Sequence, residues 1–194
     1  MARQHGAFAV PYRQAGPGRL VVASRLAFVS SFVREPKREP RDDRRHAVQR
    51  VLVSLNVAGG GSPTLFALYN VHPATPRLKN GQQHQVKDFS MISRMVGTEP
   101  KGRIVIAAGD FNAVPAMPVF VSFRAMTGLE LLANDTLATP TRFPKELGLP
   151  SWLGVPIDHI TARGPVTLQA RTVGPALGSD HLPVVADLLI DSPQ

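Results

Sequence analysis

Four short polar clusters in this chain have the residue types and spacing to handle a cation, a water molecule and an anion together. Gly109-Asp110-Phe111-Asn112 follows the continuous apolar run Ile104 to Ala108, which reads as a strand buried on both faces. Where that strand ends, the chain turns a carboxylate and an amide outward on either side of Phe111. A carboxylate binds a hard cation or orients a water, and an amide donates to an oxyanion without adding negative charge. Ser179-Asp180-His181-Leu182-Pro183 sets an oxygen ligand beside a group that titrates near neutrality. Ile157-Asp158-His159-Ile160 places an acid at the mouth of another strand, and alternation sends His159 to the opposite face, where it is structural. Asn70-Val71-His72-Pro73 puts a histidine just past a further strand. Each cluster also has a plainer reading. Asp-Phe-Asn suits an Asx turn, Ser-Asp-His a cap or turn, and His72 an ordinary loop histidine.

Positioning these side chains requires several short strands. Glycine and proline number 16 and 18 and fall between the apolar runs, as punctuation of many strands joined by loops. Leu20–Arg25 reads as a strand, followed by a basic loop. Val51–Val57 and Leu65–Val71 flank Gly59-Gly60-Gly61-Ser62-Pro63 and predict a hairpin. Val86, Phe89, Ile92 and Val96 recur at helical spacing between Gln83 and Val96. A second helix is expected over Val119–Met126, with Pro118 near its start and Gly128 past its end. Later strands are expected at Ile157–Ala162, Val166–Thr172 and Val184–Ile190. Local strand pairing interrupted by two helices implies an α+β fold rather than Rossmann-type alternation. The four clusters all sit at C-terminal strand ends or in the loops beside them, where a sheet scaffold displays functional groups.

Composition narrows the partners. The 194 residues are 43% hydrophobic and 19% charged, which suits one compact domain with a real core. Without cysteine, thiolate metal sites, disulfides and cysteine nucleophiles are excluded, although no compartment is chosen. The net charge of +8 favours polyanions: nucleic acid, phosphorylated small molecules or anionic headgroups. Part of that excess lies between Arg34 and Arg45, which also reads as a solvated mixed-charge loop. No apolar run approaches the ~18 residues of a membrane span, and Met1–Gly6 lacks the apolar stretch of a signal peptide. As given, the chain reads as soluble, with its compartment unassigned. A Ser-His-Asp hydrolase is set aside because no Gly-x-Ser-x-Gly elbow is present.

Taken in order, His72, Gly109-Asp110-Phe111-Asn112, Ile157-Asp158-His159 and Ser179-Asp180-His181-Leu182-Pro183-Val184 resemble the endonuclease/exonuclease/phosphatase (DNase I-like) family. The resemblance runs from about Val21 to Ile190. Pro140-Thr141-Arg142-Phe143-Pro144 followed by Pro156-Ile157-Asp158-His159 is most similar to a bacterial branch whose full-length members often carry membrane helices. The resemblance implies two packed β-sheets flanked by helices, a four-layer sandwich with the active site at one end. It also implies phosphoester hydrolysis by in-line attack of water with Mg²⁺ or Mn²⁺. His181 would act on the attacking water as general base, or on the phosphate as a donor. Asp158 would orient His181 and stabilise its imidazolium. Asp110 would position the nucleophile or hold metal, Asn112 would stabilise the phosphoryl oxygens, Asp180 would ligate metal, and His72 would be a second phosphate-binding or acid–base histidine.

Family members begin with a strand bearing an Asn and a second ending in a metal-binding Glu, and neither motif is found here. Residues before Val21 contain no acid, and Pro11-Tyr12-Arg13 resembles the segment that follows that Glu. The expectation is a single domain over residues 1–194, lacking its first strands and roughly the first quarter of a typical domain. Weakened metal affinity and an exposed sheet edge, open to a missing segment or a partner chain, would follow. The substrate expected is then nucleic acid or a phosphorylated lipid or small molecule; Phe143–Trp152, with Arg142 and Lys145, is a candidate lining for either site, and reads first as a loop that packs its own aromatics. The alternative is a non-catalytic relative that keeps a phosphate-binding site.

Overall fold

The computed structural model describes residues 13–15, 20–35, 48–56, 62–77, 79–133, 139–143 and 153–191. The expectations for Met1–Tyr12, for most of the basic loop and for the segment between Phe143 and Leu153 lie outside those residues. In chain order the elements are β1 (Arg13–Ala15), β2 (Leu20–Val22), β3 (Ala27–Arg34), β4 (Val48–Leu55) and β5 (Thr64–Val71). Then come α1 (Gly81–Gly97), β6 (Ile104–Asp110), α2 (Pro118–Thr127), β7 (Glu130–Leu131), β8 (Asp158–Arg163), β9 (Val166–Val173) and β10 (Val184–Ile190).

Six strands form a mixed sheet in the order β3-β4-β5-β6-β8-β7. Its one parallel pair is β5 with β6, because α1 carries the chain back to the sheet end from which β5 began. β9 and β10 pair antiparallel in a second, separate sheet, and β1 with β2 in a third. Strand alternation divides the core in two. Ala67, Tyr69, Val71, Val105 and Ala107 face the helices and pack with Phe89, Ile92, Met95, Phe120 and Phe123. Their neighbours Phe66, Ile104 and Ile106, with Val51 and Val53, face the other way and meet Val166, Leu188 and Ile190 of the second sheet. Helices, large sheet and small sheet therefore stack as layers of the expected α+β sandwich.

The hairpin β4–β5 and both helices match the sequence expectation. Pro118 opens α2, and Gly128 closes it in the left-handed conformation at φ 67°. Two readings differ. β3 fell where a loop was expected. It is an edge strand with a register shift between Phe28 and Ser30, and Val29 and Phe32 are exposed, so it carries little hydrophobic alternation. Helical spacing puts Val86 on the buried stripe of α1, yet it is 54% exposed. The buried stripe instead includes Gly81, Gln85 and Asp88 alongside Phe89, Ile92, Met95 and Val96. Polar residues occupy it because they hold loops of the site.

A charged knot ties helix to sheet away from those loops. Arg50 of β4 donates from Nε and Nη2 to Glu99 at 2.6 and 2.9 Å. The Tyr69 hydroxyl donates to the same carboxylate at 2.7 Å. Burial works against ionisation of Glu99, but the hydrogen bonds from Arg50 and Tyr69 outweigh it and leave its pKa below the ordinary value.

Candidate functional site

The site is assembled at one sheet end from three chain crossings. β6 and β8 are antiparallel neighbours whose last pair is Asp110 opposite Asp158, so two carboxylates share one edge of the sheet. What aims Asp110 outward is Phe111, which is wholly buried among Phe89, Phe120 and Phe123 with ring centroids 5.2 to 6.3 Å away. The Phe111 amide donates to the carbonyl of Ile157 at 2.8 Å, closing the strand pair just beyond the carboxylates. Gly109 lies immediately before them at φ 142°, and a Cβ there would run into the Val71 carbonyl.

The Asx turn proposed as the plain reading of Asp-Phe-Asn is present: Asn112 N–H donates to Asp110 Oδ1 at 2.7 Å. Asn112 takes the left-handed conformation at φ 50°, which asparagine tolerates well. The turn and the functional reading coexist, since Oδ1 is tied to the backbone and Oδ2 faces the two histidines. His72 Nε2 lies 3.7 Å from Oδ2, and His181 Nε2 lies 3.8 Å from it, distances of charge attraction rather than of hydrogen bonding. Burial and the charge of Asp158 push the Asp110 carboxyl above its ordinary pKa, against the Asn112 amide and the two histidines.

His181 is held by Asp158. Its Nδ1 lies 2.9 Å from Oδ2 and 3.1 Å from Oδ1. That hydrogen bond is the main reason its pKa is raised above 6.5, with burial opposing and Asp110 and Asp180 adding to it. The Ser179 turn is also real, Oγ accepting from His181 N–H at 3.0 Å. His159 points the other way, as alternation requires. It is buried against Phe111 and Phe120, with Nε2 2.8 Å from the Ala113 carbonyl, and burial lowers its pKa.

Asp180 lies apart from this group. Its Oδ2 is 3.0 Å from Arg142 Nη2, and the cluster among the described residues with ligand atoms within 4.8 Å of one another is Asp110, Asp158 and His181. The Asn112 side-chain amide donates to the Pro73 carbonyl at 3.0 Å, joining the loops after β5 and β6.

Sequence reasoning missed three residues that organise the site. Thr141 is wholly buried; its hydroxyl donates to Asp158 Oδ2 at 2.7 Å and accepts from the amides of Ile157 and Asp158 at 3.1 and 3.0 Å. Its carbonyl accepts from Leu182 N–H at 2.6 Å, fastening the His181 loop to the same point. Gln85 donates to the Asn112 carbonyl at 2.8 Å, and Asp88 Oδ2 accepts from the Ala74 amide at 2.8 Å. The available signal for these two was their spacing. Gln85 and Asp88 fall in step with Phe89, Ile92 and Val96, so a helical wheel buries them, and buried polar groups need partners.

A cavity of about 380 Å³ opens beside this group, lined by His72, Asn112, Arg142 and neighbours on three loops.

The sequence profile of the endonuclease/exonuclease/phosphatase family matches residues 2–181. No curated protein matches the chain. Among solved structures, a functionally unknown conserved protein from Enterococcus faecalis superposes with a TM-score of 0.71 at 14% identity, covering 95% of this chain and 78% of its own. An endonuclease/exonuclease/phosphatase from Beutenbergia cavernae gives 0.64 at 25% identity, covering 88% and 47%. A mannosyl-6-phosphatase from Bacteroides thetaiotaomicron gives 0.62 at 15% identity, covering 88% and 70%. The chain thus spans about half of the Beutenbergia protein's length and between two thirds and four fifths of the other two.

Proposed function

Because the chain belongs to the endonuclease/exonuclease/phosphatase family, a family of phosphoester hydrolases, we propose that it is itself a metal-dependent phosphoesterase. The observation that carries this is the Asp110, Asp158 and His181 cluster, in which one carboxylate grips the histidine and another faces it.

In this reading Asp158 accepts the Nδ1 proton of His181, which fixes the tautomer that leaves Nε2 with a lone pair. Nε2 then accepts the proton of a water attacking phosphorus, and the Asp158 carboxylate stabilises the imidazolium. Asp110 Oδ2, facing both histidines, positions that water. His72 and Asn112 line the cavity at the same place and bind the phosphoryl oxygens, His72 also meeting the departing oxygen.

The donor set fits Mg²⁺ or Mn²⁺. Two carboxylates stand opposite each other, and burial with mutual repulsion raises Asp110, a tension that a divalent cation relieves. Asp110 is the principal ligand in this proposal, with Asp158 at its side. Asp180 has one oxygen on Arg142 and lies outside the three-residue group, so it would be at most a secondary ligand. Such a cation supplies positive charge to the phosphoryl oxygens as a Lewis acid. The substrate is a phosphoester, and no helix among the described residues is long and apolar enough to cross a membrane.

The test is hydrolysis of bis-p-nitrophenyl phosphate and of plasmid DNA with Mg²⁺, with Mn²⁺ and with EDTA, in the wild-type chain, His181→Ala and Asp110→Ala. Metal-dependent turnover abolished in both variants supports the proposal. Turnover that persists in EDTA or in His181→Ala refutes it, and folded wild-type protein with no turnover supports a phosphate-binding relative instead.

A further inference from the structure

The cavity beside the catalytic group has a composition that selects among phosphoesters. His72 and Asn112, which the proposed reaction gives to the phosphoryl group, line it together with apolar Val114, Met117, Val155 and Ile157 and cationic Arg77 and Arg142. Resting on the phosphoesterase reading, we propose that this cavity takes the organic group of the substrate, and that this group is a short alkyl or aryl chain rather than a nucleic-acid strand.

Three observations support that choice. At about 380 Å³ the cavity stands at the low end of the range for small-ligand pockets, a match for a compact organic group. Its wall is built onto the catalytic loops. Arg142 and Val155 exchange backbone hydrogen bonds at 3.0 and 2.7 Å, and Arg142 also bridges to His181. The apolar wall and the arginine therefore keep a fixed relation to the catalytic histidine. Asp180, 3.0 Å from Arg142 Nη2, orients the guanidinium and offsets part of its charge, leaving other N–H groups for one phosphate oxygen. Strand binding calls for a row of uncompensated cations, and of the two arginines in the wall Arg142 is already paired with Asp180.

Binding separates this inference from the catalytic one. Calorimetry on the full chain with Mg²⁺ would compare inorganic phosphate, butyl phosphate and a thymidine tetranucleotide. Each fully buried methylene is worth about fourfold in affinity, so butyl phosphate should bind at least about tenfold more tightly than inorganic phosphate. Val114→Asn, which removes the apolar face without adding charge, should reduce that ratio to nearly one while leaving the affinity for inorganic phosphate within about twofold. If Val114→Asn does not fold, Met117→Gln makes the same comparison with a smaller change. A ratio near one in the wild-type chain, or a tetranucleotide that binds more tightly than butyl phosphate, overturns the proposal. A preserved ratio without turnover of any ester would leave the pocket standing and remove the catalytic reading. Turnover with a ratio of one would do the reverse.

Discussion

Thr141→Val tests whether a buried hydroxyl sets the geometry of the Asp158–His181 pair on which the proposed reaction depends. The substitution is nearly isosteric, so packing changes little while three hydrogen bonds vanish together. The bond to the Asp158 carboxylate is charge-assisted, worth about 1.5–3 kcal/mol, and each abandoned buried amide adds about 1–3 kcal/mol if nothing replaces its acceptor. These terms overlap, because local relaxation lets one shift relieve several groups, so a net loss of about 3 kcal/mol is expected. For a chain of this size that is a fall in Tm of about 6–12 °C. The two contacts from Asp158 to His181 remain, but the carboxylate loses the anchor on Oδ2. A fall in kcat of about 10–100-fold with KM nearly unchanged follows, since the defect lies in orientation rather than in binding. Thr141→Ser restores the hydroxyl and removes only a methyl, so it should return kcat to within about threefold at a cost near 1 kcal/mol. Thermal melts and steady-state hydrolysis of bis-p-nitrophenyl phosphate on the three proteins settle the matter. If Val matches wild type, or if Ser is as impaired as Val, the hydroxyl does not position Asp158.

Asp158→Asn removes the main cause of the raised His181 pKa. In an NMR titration the His181 ring should return to about 6.5 or below, and the acid limb of the rate profile should move to lower pH with it; an unmoved titration would break the assigned link. Glu99→Gln should cost about 3–5 kcal/mol at pH 7 by leaving Arg50 buried without its charge partner. Because the folded-state pKa of Glu99 is depressed, its contribution is fully present above the unfolded value and is lost as pH falls through the folded one. Denaturation curves of wild type and variant should therefore converge in acid, and a gap that is constant with pH would contradict the assignment. Gly109→Ala combines a left-handed backbone with a clash against the Val71 carbonyl, so we expect a loss of more than about 3 kcal/mol and the failure of Asp110 to reach His181. A variant with wild-type Tm would show that the β5–β6 edge gives way more easily than its backbone geometry indicates.

Strands and helices with strong periodicity, and the ordered polar clusters at their ends, are legible in the amino-acid order alone. Ile104 to Ala108 could hardly be other than a buried strand, and Pro118 and Gly128 bracket α2 through local backbone preference. That order also fixes which way Asp158 and His159 divide, because alternation in a strand is a property of the chain alone. Edge strand β3 stayed hidden, since a strand half in solvent with a register shift has no hydrophobic signature to read. The family resemblance pairs Asp158 with His181, but the grip itself, with Asp110 only facing the ring, is a product of tertiary packing. That depends on the β6–β8 register, on the Asp180–Arg142 ion pair that draws Asp180 aside, and on Thr141 lying 17 residues from the aspartate it holds. A hydrogen bond between residues distant in sequence has no local pattern. It exists only once the burial of Phe111, Gln85 and Asp88 has brought the loops together and left their polar atoms no water to turn to.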